Sequence, residues 1–136
     1  MNIGISGLIV AAVILSACNS GNGPATKEIE SHTAQDMVIT LSSETGQLAQ
    51  GKNTFYIAFR SASTNQPVDA GTIMLSASMA MPGMAPMVAP IEISPAGTPG
   101  QYMVKAEFGM SGSFGFEVRW DGPAGRGSTT FHSSVR

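Results

Sequence analysis

The sequence predicts an all-β protein in which two antiparallel sheets pack face to face as a sandwich. After residue 35, apolar and polar side chains alternate in short runs, as expected of strands that bury one face. Clusters of Gly, Pro, Asn and Asp separate these runs at roughly 8–12-residue spacing, and no run has the period of an amphipathic helix. About seven such strands in about 100 residues are typical of the immunoglobulin-like sandwich.

Each predicted strand places its larger apolar side chains on one face. In the clearest case, residues 54–60, Phe55, Ile57 and Phe59 are expected to face the core and Tyr56 to face solvent. The predicted strands span residues 37–41, 54–60, 72–79, 88–93, 101–108, 113–120 and 128–135. The aromatic side chains expected in the core are Phe55, Phe59, Tyr102, Phe116 and Trp120.

Residues 1–17 have the pattern of an export signal. The run from Ile3 to Ala17 is apolar or small, uncharged, and shorter than the about 20 residues of a membrane-spanning helix. It ends in Leu15-Ser16-Ala17-Cys18, which resembles the lipobox of bacterial lipoproteins, although Met1-Asn2 lacks the usual Lys or Arg. The resemblance implies that the peptide is cut before Cys18 and that this cysteine carries acyl chains, palmitate among them. The alternatives are an ordinary secretory signal followed by a stray cysteine, or a short membrane anchor.

The mature chain divides into a tether and one domain. Residues 18–35 are predicted to hold the lipidated Cys18 and a flexible tether, because residues 19–26 are small, polar and rich in Gly. Residues 27–35 are either more tether or a first edge segment, and residues 36–136 form the sandwich domain. The predicted location is the cell envelope, with the lipid in a membrane. Asn19 in place of Asp implies the outer membrane, facing the periplasm, if the source is Gram-negative.

Composition excludes several classes of function. The net charge of −2 is scattered along the chain, which argues against nucleic-acid binding. Cys18 is the only cysteine, so its acylation leaves no thiol for disulfides, catalysis or thiolate metal sites. Without a Cys/His pair, a Gly-x-Ser-x-Gly motif or a phosphate-binding loop, the protein is predicted not to be an enzyme.

Methionine supplies the candidate site. Met79, Met81, Met84 and Met87 fall within nine residues, and Met110 follows later in the chain. A soft thioether prefers a soft cation, so the segment is predicted to bind Cu(I) or Ag(I), with Pro and Gly residues bending the chain so that sulfurs converge.

Two other interpretations of these methionines remain open. Their side chains pack adaptably and would also seal the end of a sandwich, or they would form a patch that binds a protein partner. Met79 continues the inward register of its strand, whereas Met74 belongs to the outward face. His32 and His132 are outside candidates for completing a copper site, since imidazole is also a copper ligand.

Five stretches resemble the YtkA-like family, which is related to the FixH domain, over roughly residues 36–120. They are Gly51-Lys52-Asn53-Thr54-Phe55, Pro67-Val68, Met81-Pro82-Gly83-Met84, Gly100-Gln101-Tyr102, and Phe108-Gly109-Met110-Ser111-Gly112-Ser113-Phe114. In the last stretch Phe114 takes the place of a frequent Trp. A lipobox in place of a transmembrane anchor also departs from FixH.

The resemblance implies an immunoglobulin-like sandwich that is exported or membrane-tethered in bacteria and has no enzymatic activity. FixH relatives are linked to copper supply for respiratory oxidases, and similar domains accompany heavy-metal efflux adaptors. Met81, Met84 and Met110 match family positions. A copper-handling or envelope protein is therefore the expected partner.

Overall fold

The computed structural model describes residues 26–136, so the predicted signal and Cys18 lie outside the described residues. Within 26–136 the chain forms nine β-strands, and no helix there has the length and apolarity that a membrane crossing requires. The strands are β1 (Lys27–Ala34), β2 (Met37–Ser43), β3 (Gly51–Ser61), β4 (Thr72–Met79), β5 (Met87–Ala89), β6 (Ile91–Pro95), β7 (Gln101–Phe108), β8 (Gly112–Gly122) and β9 (Gly125–Val135).

The strands form two sheets, which we call sheet A and sheet B. Sheet A has the order β1-β2-β3-β7-β6 and sheet B the order β5-β4-β8-β9. All neighbouring strands in both sheets run antiparallel. The predicted all-β antiparallel sandwich is confirmed.

Aromatic side chains from both sheets fill the space between them. Phe55 of β3 meets Phe116 of β8 edge to face, with ring centroids 5.8 Å apart. Phe59 of β3 meets Trp120 of β8 in the same way at 5.7 Å. Such edge-to-face pairs contribute about 0.5–1.5 kcal/mol beyond the apolar area that they bury. The central strands of the two sheets are therefore joined along their length.

The predicted alternation is confirmed with one exception. Phe55, Ile57 and Phe59 are fully buried, whereas Tyr102 is only partly covered by the core. Tyr56 was predicted to face solvent, and that prediction is wrong, since only 9% of the residue is exposed. β3 lies in the middle of sheet A, where Tyr56 is flanked by Ser42 of β2 and Met103 of β7 on the outer face.

The first strand lies within the range that the sequence assigned to the tether. Of the two interpretations for residues 27–35, the edge segment is the one observed, because β1 pairs with β2 from Lys27↔Ser43 to Ala34↔Met37. The sequence of β1 does not alternate between apolar and polar residues as a half-buried strand does, because β1 buries little of its surface. The sheet thus begins before residue 36.

The predicted strand 88–93 is in fact two strands in different sheets. β5 pairs with β4 in sheet B, and β6 pairs with β7 in sheet A. Pro90 lies between them and has no N–H to donate to a ladder, while its carbonyl oxygen accepts the N–H of Glu107 at 3.2 Å. The chain therefore crosses from one sheet to the other at Pro90.

We call one end of the sandwich the methionine end: the β4–β5 hairpin, residues 79–87, and the β7–β8 turn, residues 109–112. β3 begins at this end, where Gly51 pairs with Phe108. The opposite end contains the β1–β2 and β8–β9 turns and the loop between β3 and β4.

We predict that removing β1 destabilises the domain. A fragment 36–136 lacks Ile29, which packs partly against the core, and it exposes the edge of β2. Full burial of such a side chain contributes about 1.5–3 kcal/mol and Ile29 is partly buried, so the free energy of unfolding should fall by about 1–3 kcal/mol relative to fragment 24–136. Urea denaturation followed by Trp120 fluorescence measures the difference, and equal midpoints would contradict the prediction.

Candidate metal centre

The β4–β5 hairpin places two candidate methionines side by side. Met79 ends β4 and Met87 begins β5, and the two are paired in the ladder. Directly opposed residues have Cβ atoms about 4.5–5.5 Å apart and point to the same face. The preceding pair on that face, Ala77 and Ala89, is buried, so Met79 and Met87 point toward the core at its open edge.

A tight turn at the tip of this hairpin brings two more methionines near each other. The Met84 N–H donates to the Met81 carbonyl oxygen at 3.1 Å, which closes a four-residue turn. Pro82 occupies its second position, and Gly83 occupies the third with φ of 73°. These are the features of a type II turn, in which the first and fourth Cα atoms lie within about 7 Å.

The neighbouring β7–β8 turn supports the base of the hairpin. A methyl group built on Gly112 would lie 2.5 Å from the Met79 sulfur, and one built on Gly109 would lie 2.7 Å from the Met87 terminal methyl. The two methionines thus occupy space that side chains at these glycines would fill. Met110 lies between the two glycines, so the fifth candidate belongs to the same end of the sandwich.

The five candidate side chains differ in access to solvent. Met79, Met81 and Met87 are half-buried. Met84 is 69% exposed and Met110 is 38% exposed. The methionine end therefore has sheltered thioethers at its base and open ones at its surface.

The donors at this end are chemically uniform. Residues 79–91 and 108–115 contain no charged side chain and no histidine. Within residues 26–136, no three His, Cys, Asp or Glu side chains group together in a way that could hold a metal ion. The candidate donor set is therefore thioether sulfur, which suits a soft monovalent cation and not a hard divalent one.

The His32 ring and the His132 backbone have other contacts, whereas the His132 ring lies beside Gly115 of β8. His32 lies on β1, with Nε2 2.8 Å from Glu30 Oε1 and Nδ1 3.0 Å from Thr129 Oγ1. Its ring also contacts Phe131, with centroids 4.4 Å apart. His132 is exposed on β9, where its backbone N–H donates to Glu30 Oε2 at 3.0 Å. These contacts join β1 to β9 across the two sheets.

Two further side chains lie apart from the methionine end. Met74 is 64% exposed on the outer face of β4, as the sequence predicted. Tyr102 donates its hydroxyl hydrogen to the Gly71 carbonyl oxygen at 2.9 Å near the opposite end. Burial raises the pKa of this phenol, and the Asp69 carboxylate raises it further.

Sequence reasoning missed the part played by the two glycines. The sequence places Gly109 and Gly112 in a stretch that resembles the YtkA-like family, but it does not show that Met87 and Met79 lie against them. The only sequence feature that could have indicated this contact is the position of the two glycines on either side of Met110. It acquires this meaning only once the β7–β8 turn is known to lie beside the β4–β5 hairpin.

Comparison with known families gives one match. The model of the YtkA-like family matches residues 31–119. A comparison with curated proteins finds no match to this chain.

Two solved structures resemble the chain at low identity. PcoC, described as a methionine-rich copper resistance protein from Escherichia coli, is 11% identical, has a TM-score of 0.45, and is matched over 66% of this chain and 88% of its own. FetP of uropathogenic E. coli strain F11 is 11% identical with a TM-score of 0.43, over 82% and 97% respectively. At TM-scores this low, neither likeness bears on the fold or function of this chain.

We predict that Gly109→Ala displaces the Met87 methyl group. Gly109 has no positive φ, so the new methyl acts through contact alone, and Met87 is flexible enough to limit the cost to at most about 1 kcal/mol. In ¹H–¹³C spectra of fragment 24–136, the Met87 methyl resonance should move while that of Met74 stays. An unmoved Met87 resonance would contradict the contact.

Proposed function

The chain belongs to the YtkA-like family, since the family model matches residues 31–119 of its 136, and we propose that it is an exported, lipid-anchored member that binds Cu(I) through the methionine end. Cys18 carries the lipid. The metal is cargo that the protein holds and passes on, and the role is binding without catalysis. The proposed location is the cell envelope, on the outer membrane facing the periplasm if the source is Gram-negative. The proposed partner is a copper-handling or envelope protein.

The observation that supports this function most is the meeting of two methionine segments at one end of the sandwich. Residues 79–87 and Met110 are separated in sequence by two strands, yet Met79 and Met87 contact the glycines on either side of Met110. Cu(I) accepts few soft ligands without a strict geometry, so a set drawn from five nearby thioethers suits it.

The difference in exposure suits transfer as well as binding. Met79 and Met87 are sheltered at the hairpin base, whereas Met84 extends into solvent. In the proposed mechanism, the exposed sulfur makes the first contact with arriving metal and the sheltered pair retains it. An exchange partner then takes the metal from the sheltered pair. The relationship of this chain to the FixH domain in particular, beyond the YtkA-like family, remains a prediction.

A second candidate function has its own support. The close packing of Met79 against Gly112 and of Met87 against Gly109 is also what a purely structural end of the sandwich requires. In that case the protein is an interaction module that docks onto an envelope complex without metal. Replacing methionine by leucine distinguishes the two functions, because leucine keeps the apolar volume and removes the sulfur.

We predict that fragment 24–136 binds Cu(I), and that the triple variant Met81→Leu, Met84→Leu, Met87→Leu loses at least about tenfold in affinity, or about 1.4 kcal/mol. Competition titration under reducing conditions measures the affinity, with Ag(I) as an air-stable second probe. Met74→Leu is the matched control and should bind as the parent does, because Met74 lies on the outer face of β4.

The same titration decides between the two functions. Unchanged binding by the triple variant would refute the assigned ligands, and no binding by the parent would leave the structural module. If the triple variant retains part of the affinity, Met79→Leu combined with Met110→Leu should remove it.

We predict separately that the full chain expressed in a bacterium is cut before Cys18 and acylated there. Intact-mass spectrometry should give residues 18–136 plus diacylglycerol and an optional N-acyl chain. Cys18→Ser is the control and should give no lipid mass. A mature chain that begins elsewhere, or a free Cys18 thiol, would contradict the anchor.

A further inference from the structure

The methionine end is also the end toward which the anchored part of the chain leads, and we infer that this end rests on the lipid bilayer surface. The inference depends on the lipid anchor of the proposed function. It adds an orientation: the site faces the membrane and the opposite end of the sandwich points away from it.

The strand register fixes where the tether joins the domain. Lys27 pairs with Ser43, and Ser43 pairs with Phe55, four residues along β3 from Gly51 at the methionine end. At about 3.3 Å per residue, Lys27 lies about 13 Å from the level of Gly51. β1 runs away from that end, so the chain before Lys27 leads toward it.

The length of the tether favours the same orientation. Eight residues, 19–26, separate Cys18 from Lys27 and span at most about 29 Å when fully extended. Reaching the opposite end would require this segment to turn back along β1, which is about 25 Å long. That route uses nearly the whole extension before passing the β1–β2 turn. Along the strand direction, reaching the level of Gly51 at the methionine end needs about half of it.

Exposed apolar side chains are concentrated at the methionine end. Among the described residues, the large apolar side chains that are exposed are Met74, Met84, Val88 and Met110, and the last three lie at this end. Met84 is 69% exposed and Val88 is 66% exposed. Apolar side chains next to a bilayer gain by entering the interface between headgroups and acyl chains.

The lack of charge on the hairpin and on the β7–β8 turn agrees with this orientation. Residues 79–91 and 108–115, which form the tip and its support, carry no charged side chain to desolvate. Other charges at this end, Glu44 in the β2–β3 loop and Arg136 at the chain end, are exposed but lie outside these two segments. The opposite end carries exposed Asp36 and Asp69 in its turns and loops and exposed Asp121 near the end of β8. Carboxylates are poorly suited to a surface that enters a lipid interface.

A lipid surface accounts for these observations without a further molecule, because the proposed anchor already holds the domain within reach of a bilayer. We therefore assign the lipid surface, and the test keeps a protein partner as a separate outcome.

The test uses the full lipidated chain in protein-free vesicles of phosphatidylethanolamine and phosphatidylglycerol. Acylated Cys18 has no thiol, so a single introduced cysteine can be labelled with nitrobenzoxadiazole, at Ala85→Cys in the tip or at Ser63→Cys in the opposite end. Both positions are exposed in loops. Nitroxide-bearing lipids should quench the label at 85 several-fold more strongly than the label at 63.

Matched charge variants test the contact itself. In the Ala85→Cys background, Met84→Asp should reduce quenching several-fold, whereas Asn65→Asp at the opposite end should leave it unchanged. Equal quenching at 85 and 63, or stronger quenching at 63, would overturn the orientation. Quenching at 85 that requires native membranes and is missing in protein-free vesicles would overturn the lipid surface in favour of a membrane protein.

The outcome is separable from that of the proposed function. Mass spectrometry of the same preparation reports the acyl chains, and the Cu(I) titration of fragment 24–136 reports the metal without any membrane. An acylated chain without preferential quenching refutes the orientation alone. A chain without acyl mass refutes the anchor and the orientation together. The metal site is then decided by the Cu(I) titration alone.

Discussion

Contact between the aromatic side chains of β3 and β8 is the interaction on which the rest of the structure depends. These are the strands on which each sheet places its largest buried rings, and Phe55–Phe116 and Phe59–Trp120 join the two sheets directly. A domain of about 110 residues has one core, so loss of this contact would separate the sheets. The remaining strands extend the two sheets outward from this centre. β1 then closes one side through the contacts of Glu30 and His32 with β9.

The same aromatic layer sets the position of the methionine end. Phe108 and Phe114 flank the β7–β8 turn, are fully buried and lie 4.9 Å apart by ring centroid. With both flanks fixed in the core, the glycines of this turn have a defined position, and Met79 and Met87 lie against them. The tip around Met84 has no such support. A well-supported base and an exposed tip therefore occur in adjacent parts of one end, which suits the proposed metal exchange.

Alternation predicted most of the fold because strands buried on one face must repeat every second residue. It failed where tertiary context outweighs local pattern. β1 has a polar sequence, and its place depends on partners such as Phe131 that are distant in the chain. The break at Pro90 divides a continuous apolar run between two sheets.

The five candidate methionines were predicted from the softness of sulfur, and whether they bind metal stays a prediction. Their convergence at one end follows from sheet topology, which local spacing does not contain.

The brevity of β5 has a consequence for motion. Only three residue pairs hold it to β4, and it is an edge strand of sheet B. Short edge elements open at much lower free energy than the global unfolding of a domain. We therefore expect the hairpin to detach and re-form while the aromatic core stays intact. Each opening would release Met87 from its place on Gly109 and give the thioethers new arrangements. Under the proposed copper-binding function, the frequency of this opening would set the fastest rate at which a metal held by Met87 is exchanged.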